Sequence, residues 1–165
     1  MLRISVVRPG ELGPDELARW RQLHGDSDQA NPFLSPEFAV CVGRVRPGAR
    51  VAVLEEGPTI VGFFPHERGG LQVGRPIGAG LSDCQGLVHE PGLGWDPRAL
   101  LRACDLDVWS FDHLLAGQGP LVPYHRVRRP SPVIDVSDGY AAWLQDRRRA
   151  YKGTITDMGR KQRKL

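Results

Sequence analysis

Two polar side chains, Asp83 and Gln85, lie between Gly80 and Gly86 in the stretch LSDCQG, where a tight Gly-rich turn can project them away from the backbone. Projected in this way they can hydrogen-bond the acceptor of a group-transfer reaction. The competing reading is that Asp83 closes an Asx turn and Gln85 satisfies loop backbone. Cys84 stands between them with no histidine beside it in sequence to take its proton, and reads as a small, half-buried residue rather than a thiolate nucleophile. His66 follows Pro65 at the end of an apolar run, where its ring can face a cleft as a general base or simply end a strand in solvent. The pairs His66-Glu67 and His89-Glu90 lack the second histidine, four residues on, that a zinc-binding helix needs. Cys41, Cys84 and Cys104 are far apart, with no CxxC, so the sequence points to neither a metal site nor a disulfide framework.

The elements that must position these residues alternate along the chain. Arg3 to Arg8 reads as a first strand, and Gly13-Pro14-Asp15-Glu16 opens a helix whose inner face is Leu17, Trp20 and His24. Ser35-Pro36-Glu37 starts a second helix, with Phe38, Cys41, Val42 and Val45 on one face until Pro47-Gly48 stops it. Arg50 to Glu55 and Thr59 to His66 form a hairpin about Glu56-Gly57-Pro58. Short strands are expected at Leu71 to Val73 and at Gln85 to His89. Asp96-Pro97 caps a helix carrying Leu100, Leu101 and Cys104, and Val108 to Leu114 returns as a strand. On that reading Asp112 and His113 merely alternate faces. Val133 to Val136 is the last expected strand, before Ser137 caps an amphipathic helix with Tyr140, Trp143, Leu144 and Tyr151 on its apolar face. His24 and His125 carry no pattern. The order is mixed α/β.

Composition narrows the function classes. A chain of 165 residues with 41% hydrophobic and 25% charged residues can bury a core without staples, which excludes disorder of the whole chain. The formal net charge of +3 is unevenly spread: from Arg147 to Leu165 eight basic residues face Asp157 alone, a net +7 that leaves about −4 for residues 1–146. A nucleic-acid-binding domain spreads its basic residues over a folded face, so a solvated helix and tail are favoured over a nucleic-acid partner. No apolar run is long enough to span a bilayer, and the N-terminus lacks a signal-peptide core, so a cytoplasmic location is the expectation.

Five ordered segments carry a family resemblance: NPFLSPEF at 31–38, VAVLEEGPTIVGFFPHER at 51–68, RPIGAGLSDCQGLV at 75–88, WSFDHL at 109–114 and SPVIDVSDGYAAWLQDRRR at 131–149. Together they resemble the N-terminal half of the CelD-like, cellulose-biosynthesis-type acetyltransferases of the GNAT superfamily, which are similar to the FemAB group. The resemblance implies a GNAT-like domain over residues 1–137, with a mixed, largely antiparallel sheet flanked by helices. Residues 138–165 are then an amphipathic helix and basic tail leading to a second GNAT domain. It further implies N-acetyl transfer from acetyl-CoA or another acyl-CoA to a small-molecule or glycan-precursor acceptor, in polysaccharide or cell-envelope biosynthesis. The acyl-CoA is expected to bind mainly to that second domain, leaving this chain with little turnover alone and in need of a partner domain or a second copy. The alternative is a non-catalytic GNAT-like binding or scaffolding module.

In GNAT chemistry a backbone N–H at a splayed strand polarises the thioester carbonyl, and a Gly-rich turn running into a helix N-terminus holds the pyrophosphate. Arg75-Pro-Ile-Gly78-Ala-Gly80 matches such a turn in letters. It is read as a chance match, because the following Leu81-Ser-Asp-Cys-Gln-Gly86 is turn-like and leads to a strand. No confident cofactor-binding residue follows from it.

Overall fold

Two adjacent strands with no solvent-facing side set the architecture. In the computed structural model, which describes residues 2–25, 30–132 and 134–151, β2 (Ala49–Glu56) and β3 (Thr59–Arg68) form an antiparallel hairpin buried on both faces. Their turn is Gly57-Pro58. Gly57 sits at φ +59°, and the Pro58 ring holds the next φ negative, the sign pattern of the II′ turns that match strand twist. β1 (Leu2–Val7) pairs antiparallel along β2. On the other edge of β3 lie β4 (Val73–Pro76), opposite His66–Arg68, and β5 (Val88–His89), opposite Gly62–Phe63. β4 and β5 run in the same direction, so together they fill one strand position interrupted by residues 77–87. Arg68 N–H donates to Gly48 O on the β2 side at 2.8 Å, and by alternation the amide position of Pro65 faces this interrupted edge, where proline has no N–H to offer.

α1 (Pro14–Gly25) and α2 (Pro36–Val45) cover one face of the sheet, over Val51, Val53, Phe63 and Ile77. Trp20 anchors this layer: it is fully buried, stacks on Phe63 with ring centroids 4.8 Å apart, and donates its indole N–H to Leu34 O at 3.0 Å. The opposite face carries Ala52, Leu54, Val61 and Phe64 under α3 (Pro97–Ala103) and the 3-10 turn Gly119–Tyr124. A β-bulge between Leu54 and Glu55 leaves Val61 as the extra residue of β3 and shifts the alternation by one, so that Ile60 shares a face with Phe63 and Val61 with Phe64. β6 (Val108–Trp109) enters after α3 and pairs parallel with β4. The result is a mixed α/β fold with a mostly antiparallel open sheet flanked by helices.

Several elements differ from the sequence reading. The buried stripe of α2 is Pro36, Ala39 and Val42; Cys41 and Val45 face solvent, because the helix turns its small residues inward and Gly43 lies against Pro9. On α1 the inner position after Trp20 is Leu23, while the His24 ring lies within hydrogen-bond reach of Asn31. Leu71 and Gln72 are not strand: both have left-handed φ, +54° and +53°, in the turn that reverses the chain into β4. The strand expected at 85–89 is shortened by Gly86 at φ +148°. That at 108–114 stops at Trp109, because Ser110 N–H makes the last bond to β4, onto Gly74 O, and the next amides go elsewhere.

Residues 126–165 form a second unit by themselves. Within it α4 (Tyr140–Ala150) starts after Gly139, not at Ser137, whose N–H and hydroxyl both donate to Asp135 Oδ1 at 2.9 and 2.7 Å. Tyr140 stacks on Trp143, and no residue of α4 is buried. Ile134–Val136 form no strand; Val133 and the basic residues beyond Tyr151 lie outside the described residues.

A methyl group on Gly48 would lie 2.5 Å from the backbone oxygen of Arg68, at the point where β3 leaves the sheet. Gly48→Ala is expected to lower stability by about 1–3 kcal/mol, read as a lower urea midpoint with an unchanged slope. An unaltered midpoint would show that this close approach is not a constraint.

Candidate functional site

The loop that interrupts the β4–β5 strand position, residues 77–87, carries most of the chemistry anticipated from the sequence. Two buried glutamines hold it. Gln85, 2% exposed, donates from Nε2 to Ser82 O at 2.9 Å and to Asp112 Oδ1 at 2.7 Å, and accepts at Oε1 from the N–H groups of Asp112 and His113 at 3.0 and 3.1 Å. Its backbone adds a parallel bridge, N–H to His113 O and O from Leu115 N–H. Every polar atom of the side chain is thereby engaged, so Gln85 positions the loop and has no bond left for an acceptor molecule. Gln118, 1% exposed, does the same one step on, pairing its amide with both the N–H and the O of Leu87 at 2.9 Å. A Cβ at Gly86 would lie 2.6 Å from the Gln118 amide carbon, which is why glycine stands there.

Asp83 is exposed at the bend and makes no side-chain hydrogen bond or ion pair among the described residues, so its carboxylate is available to a ligand and closes no Asx turn. Cys84 is half-buried, and burial first, then the Asp83 charge, pushes its thiol pKa up, which suits a packing residue and not a nucleophile. Burial likewise pushes Cys104 up to about 12.

His66 does not face a cleft. It is fully buried on the α3 face of β3, stacked on Phe64 at 5.1 Å, with Nδ1 on Phe64 O at 3.1 Å and Nε2 without a partner among the described residues. Burial lowers its pKa to about 4, with smaller contributions from the positive charges of Arg50 and Arg68. A neutral ring with no solvent access is a poor general base, and the expectation of a strand-end histidine in solvent fails too, since β3 continues to Arg68.

The Gly-rich string is structural. Gly78, left-handed at φ +79°, donates its N–H to Glu67 Oε1 at 2.9 Å and sits where a Cβ would strike the Phe38 ring at 2.7 Å. Glu67, 7% exposed, is held from its other oxygen by Arg46 at 2.9 and 3.1 Å. Arg75 is exposed on β4, and Gly80 belongs to a 3-10 turn, Ala79–Leu81, that runs into loop instead of helix. A carboxylate already fills the place of an anion here, so the residues do not fit a pyrophosphate. The N-terminus of α3 is closed in the same manner, Asp96 accepting from the N–H groups of Arg98 and Ala99 at 3.0 and 3.3 Å.

One pair that the sequence suggests as alternating strand faces comes together instead. Asp112 Oδ1, already bonded to Gln85, lies 3.1 Å from His113 Nδ1, with both side chains more than half exposed. The Gln85 hydrogen bond, then His113, hold the Asp112 carboxyl below its usual range. An oriented carboxylate–imidazole pair beside Asp83's loop can accept a proton from an amine or hydroxyl. The signal that could have found it is Gln85 itself: a glutamine flanked by glycine and apolar residues demands partners, and Asp112 supplies one.

Among the described residues no group of three or more His, Cys, Asp and Glu side chains could hold a metal ion, and no helix is long and apolar enough to cross a membrane. A cavity of about 320 Å³ lies on the α3 face, lined by none of the candidate site residues named from the sequence. Comparison with protein-family models, with curated proteins and with solved structures finds no match to this chain.

Gln85→Ala leaves two backbone N–H groups and one carbonyl without a partner, and is expected to cost about 2–4 kcal/mol in urea unfolding with faster amide exchange at Asp112 and His113. Unchanged exchange there would remove the positioning role. For His66, the unfolded ring takes up a proton as pH falls below about 6.5, whereas the folded ring resists until about 4. The native state is therefore expected to lose about 2 kcal/mol between pH 6.5 and 5. His66→Phe should flatten that slope; a variant with the wild-type pH profile would refute the assignment.

Proposed function

We propose that this chain is the acceptor-side domain of a GNAT-type acyltransferase, which passes an acyl group from acetyl-CoA or a related thioester to an amine or hydroxyl, and that it does not turn over alone. The observation that carries the reading is the strand arrangement. β1 to β4 are antiparallel neighbours in chain order, and β6, reached through α3, pairs parallel with β4 and leaves it after Ser110. Such an opening is where the resemblance places the backbone N–H that polarises a thioester carbonyl. Asp83 and the Asp112–His113 pair border the loop beside it and supply a carboxylate and a proton acceptor for an incoming amine.

Inactivity of the isolated chain is supported by the two occupied anion positions. Glu67 takes the Gly78 N–H and Asp96 takes those of α3, so neither turn offers a pyrophosphate its N–H groups. The same two carboxylates favour the second reading, a GNAT-like module that binds or scaffolds without catalysis.

The test is release of CoA from acetyl-CoA with glucosamine as acceptor, followed with a thiol reagent. The chain alone is expected to match the protein-free rate yet to bind glucosamine, seen as ¹H–¹⁵N shifts at Asp83, Asp112 and His113. Turnover by the chain alone would overturn the incompleteness. Shifts at none of the three residues, with no acetyl-CoA binding by calorimetry, would overturn acyl transfer and leave the second reading.

A further inference from the structure

The charged side chains of the segment 96–107 divide into two kinds. Asp96 caps α3 and lies 4.0 Å from Arg102, and Asp105 pairs with Arg68. Arg98 and Asp107, by contrast, make no side-chain hydrogen bond or ion pair among the described residues, either with each other or with a third group. Both are exposed, and both line the cavity of about 320 Å³ on the α3 face, as its charged walls.

Helix electrostatics do not account for Arg98, because a cation in the first turn of a helix opposes the dipole. The helix does account for where it stands. Arg98 and Leu101, spaced i, i+3, are neighbours on one face of α3, and Leu101 lines the same cavity. Asp107 stands two residues before Trp109 at the entry to β6, and both line it as well. Below this charged rim the floor is apolar: Phe64, Leu100, Trp109 and Leu121 are buried, and Phe64 and Phe111 flank the Trp109 ring with centroids at 4.9 and 5.2 Å. Rings set edge-on and tilted leave aromatic surface for one more ring.

We propose that this cavity binds a free amino acid with an aromatic side chain. The ring lies on the apolar floor, the α-carboxylate pairs with the Arg98 guanidinium, and the α-ammonium pairs with the Asp107 carboxylate. A zwitterion answers both walls at once, whereas a simple anion or cation meets a like charge together with the opposite one. The volume, at the small end of ligand sites, suits a single amino acid. Neither Asp83 nor the Asp112–His113 pair lines the cavity, so the site is separate from theirs and stands whether or not the chain takes part in acyl transfer.

The probes are L-phenylalanine, 3-phenylpropionate, which lacks the ammonium, and 2-phenylethylamine, which lacks the carboxylate. With the full chain, L-phenylalanine is expected to shift the backbone ¹H–¹⁵N resonances of Leu101, Asp107 and Trp109. It should bind at least about threefold tighter than either analogue at low salt, a preference that shrinks as ionic strength rises. Arg98→Gln and Asp107→Asn alter exposed side chains and leave the floor intact. The first should bring L-phenylalanine down to the wild-type affinity of 2-phenylethylamine without weakening 2-phenylethylamine itself, and the second should do the same relative to 3-phenylpropionate. If a variant does not fold, the wild-type preference and the three shifts decide. An analogue that binds as tightly as L-phenylalanine, no shift at the three resonances up to the solubility limit, or unchanged L-phenylalanine affinity in either folded variant would each overturn the proposal.

Discussion

The hairpin of β2 and β3 must be covered twice. Val51, Val53 and Phe63 project to one side of it and Ala52, Leu54 and Phe64 to the other, all within a few per cent of full burial. At roughly 25 cal/mol per Å² of apolar surface, leaving either side wet would forfeit much of the folding free energy of so small a unit. Layers on both faces follow from that demand: α1 and α2 with Trp20 at their centre on one, α3 and the Gly119–Tyr124 turn on the other. β1 closes one edge, and Pro65, unable to donate, marks where the other edge is broken.

That broken edge gathers the polar chemistry of the chain. A strand position that stops and resumes leaves backbone groups without ladder partners, and in a dry setting they must be answered by side chains. Gln85 and Gln118 answer most of them, acting as extra rungs between the 82–87 loop and the 111–118 segment. Glu67 answers another, joining Gly78 to Arg46 across α2 and β3. Because these groups are saturated internally, the residues left to face a ligand are the ones the network holds outward: Asp83, Asp112 and His113.

The second face poses a different problem. Aromatic side chains fill it without closing it, so large rings meet at edges and angles and enclose a space instead of interdigitating. His66 lies on the same side of β3, kept neutral by burial. The two faces of one sheet thus differ in kind: a saturated packing under α1 and α2, and an aromatic chamber under α3.

Local signals sufficed for what depends on neighbours in the chain. Gly57-Pro58 fixed the turn, Ser35 and Asp96 capped their helices, and alternating β-branched runs gave the hairpin, because turn geometry, capping and strand period act over a few residues. That the Gly78 string leads into a turn and not into a helix was legible for the same reason. Other outcomes depended on contacts 27 to 31 residues apart in sequence, between Gln85 and Asp112 or Leu87 and Gln118. Periodicity made 108–114 a strand and His66 a strand-end residue; only the tertiary structure decided that Gln85 would take the amides of that strand and that β3 would carry His66 into the core. Burial and long-range hydrogen bonding are properties of the packed chain, and a side chain's availability for chemistry is what remains after they are satisfied.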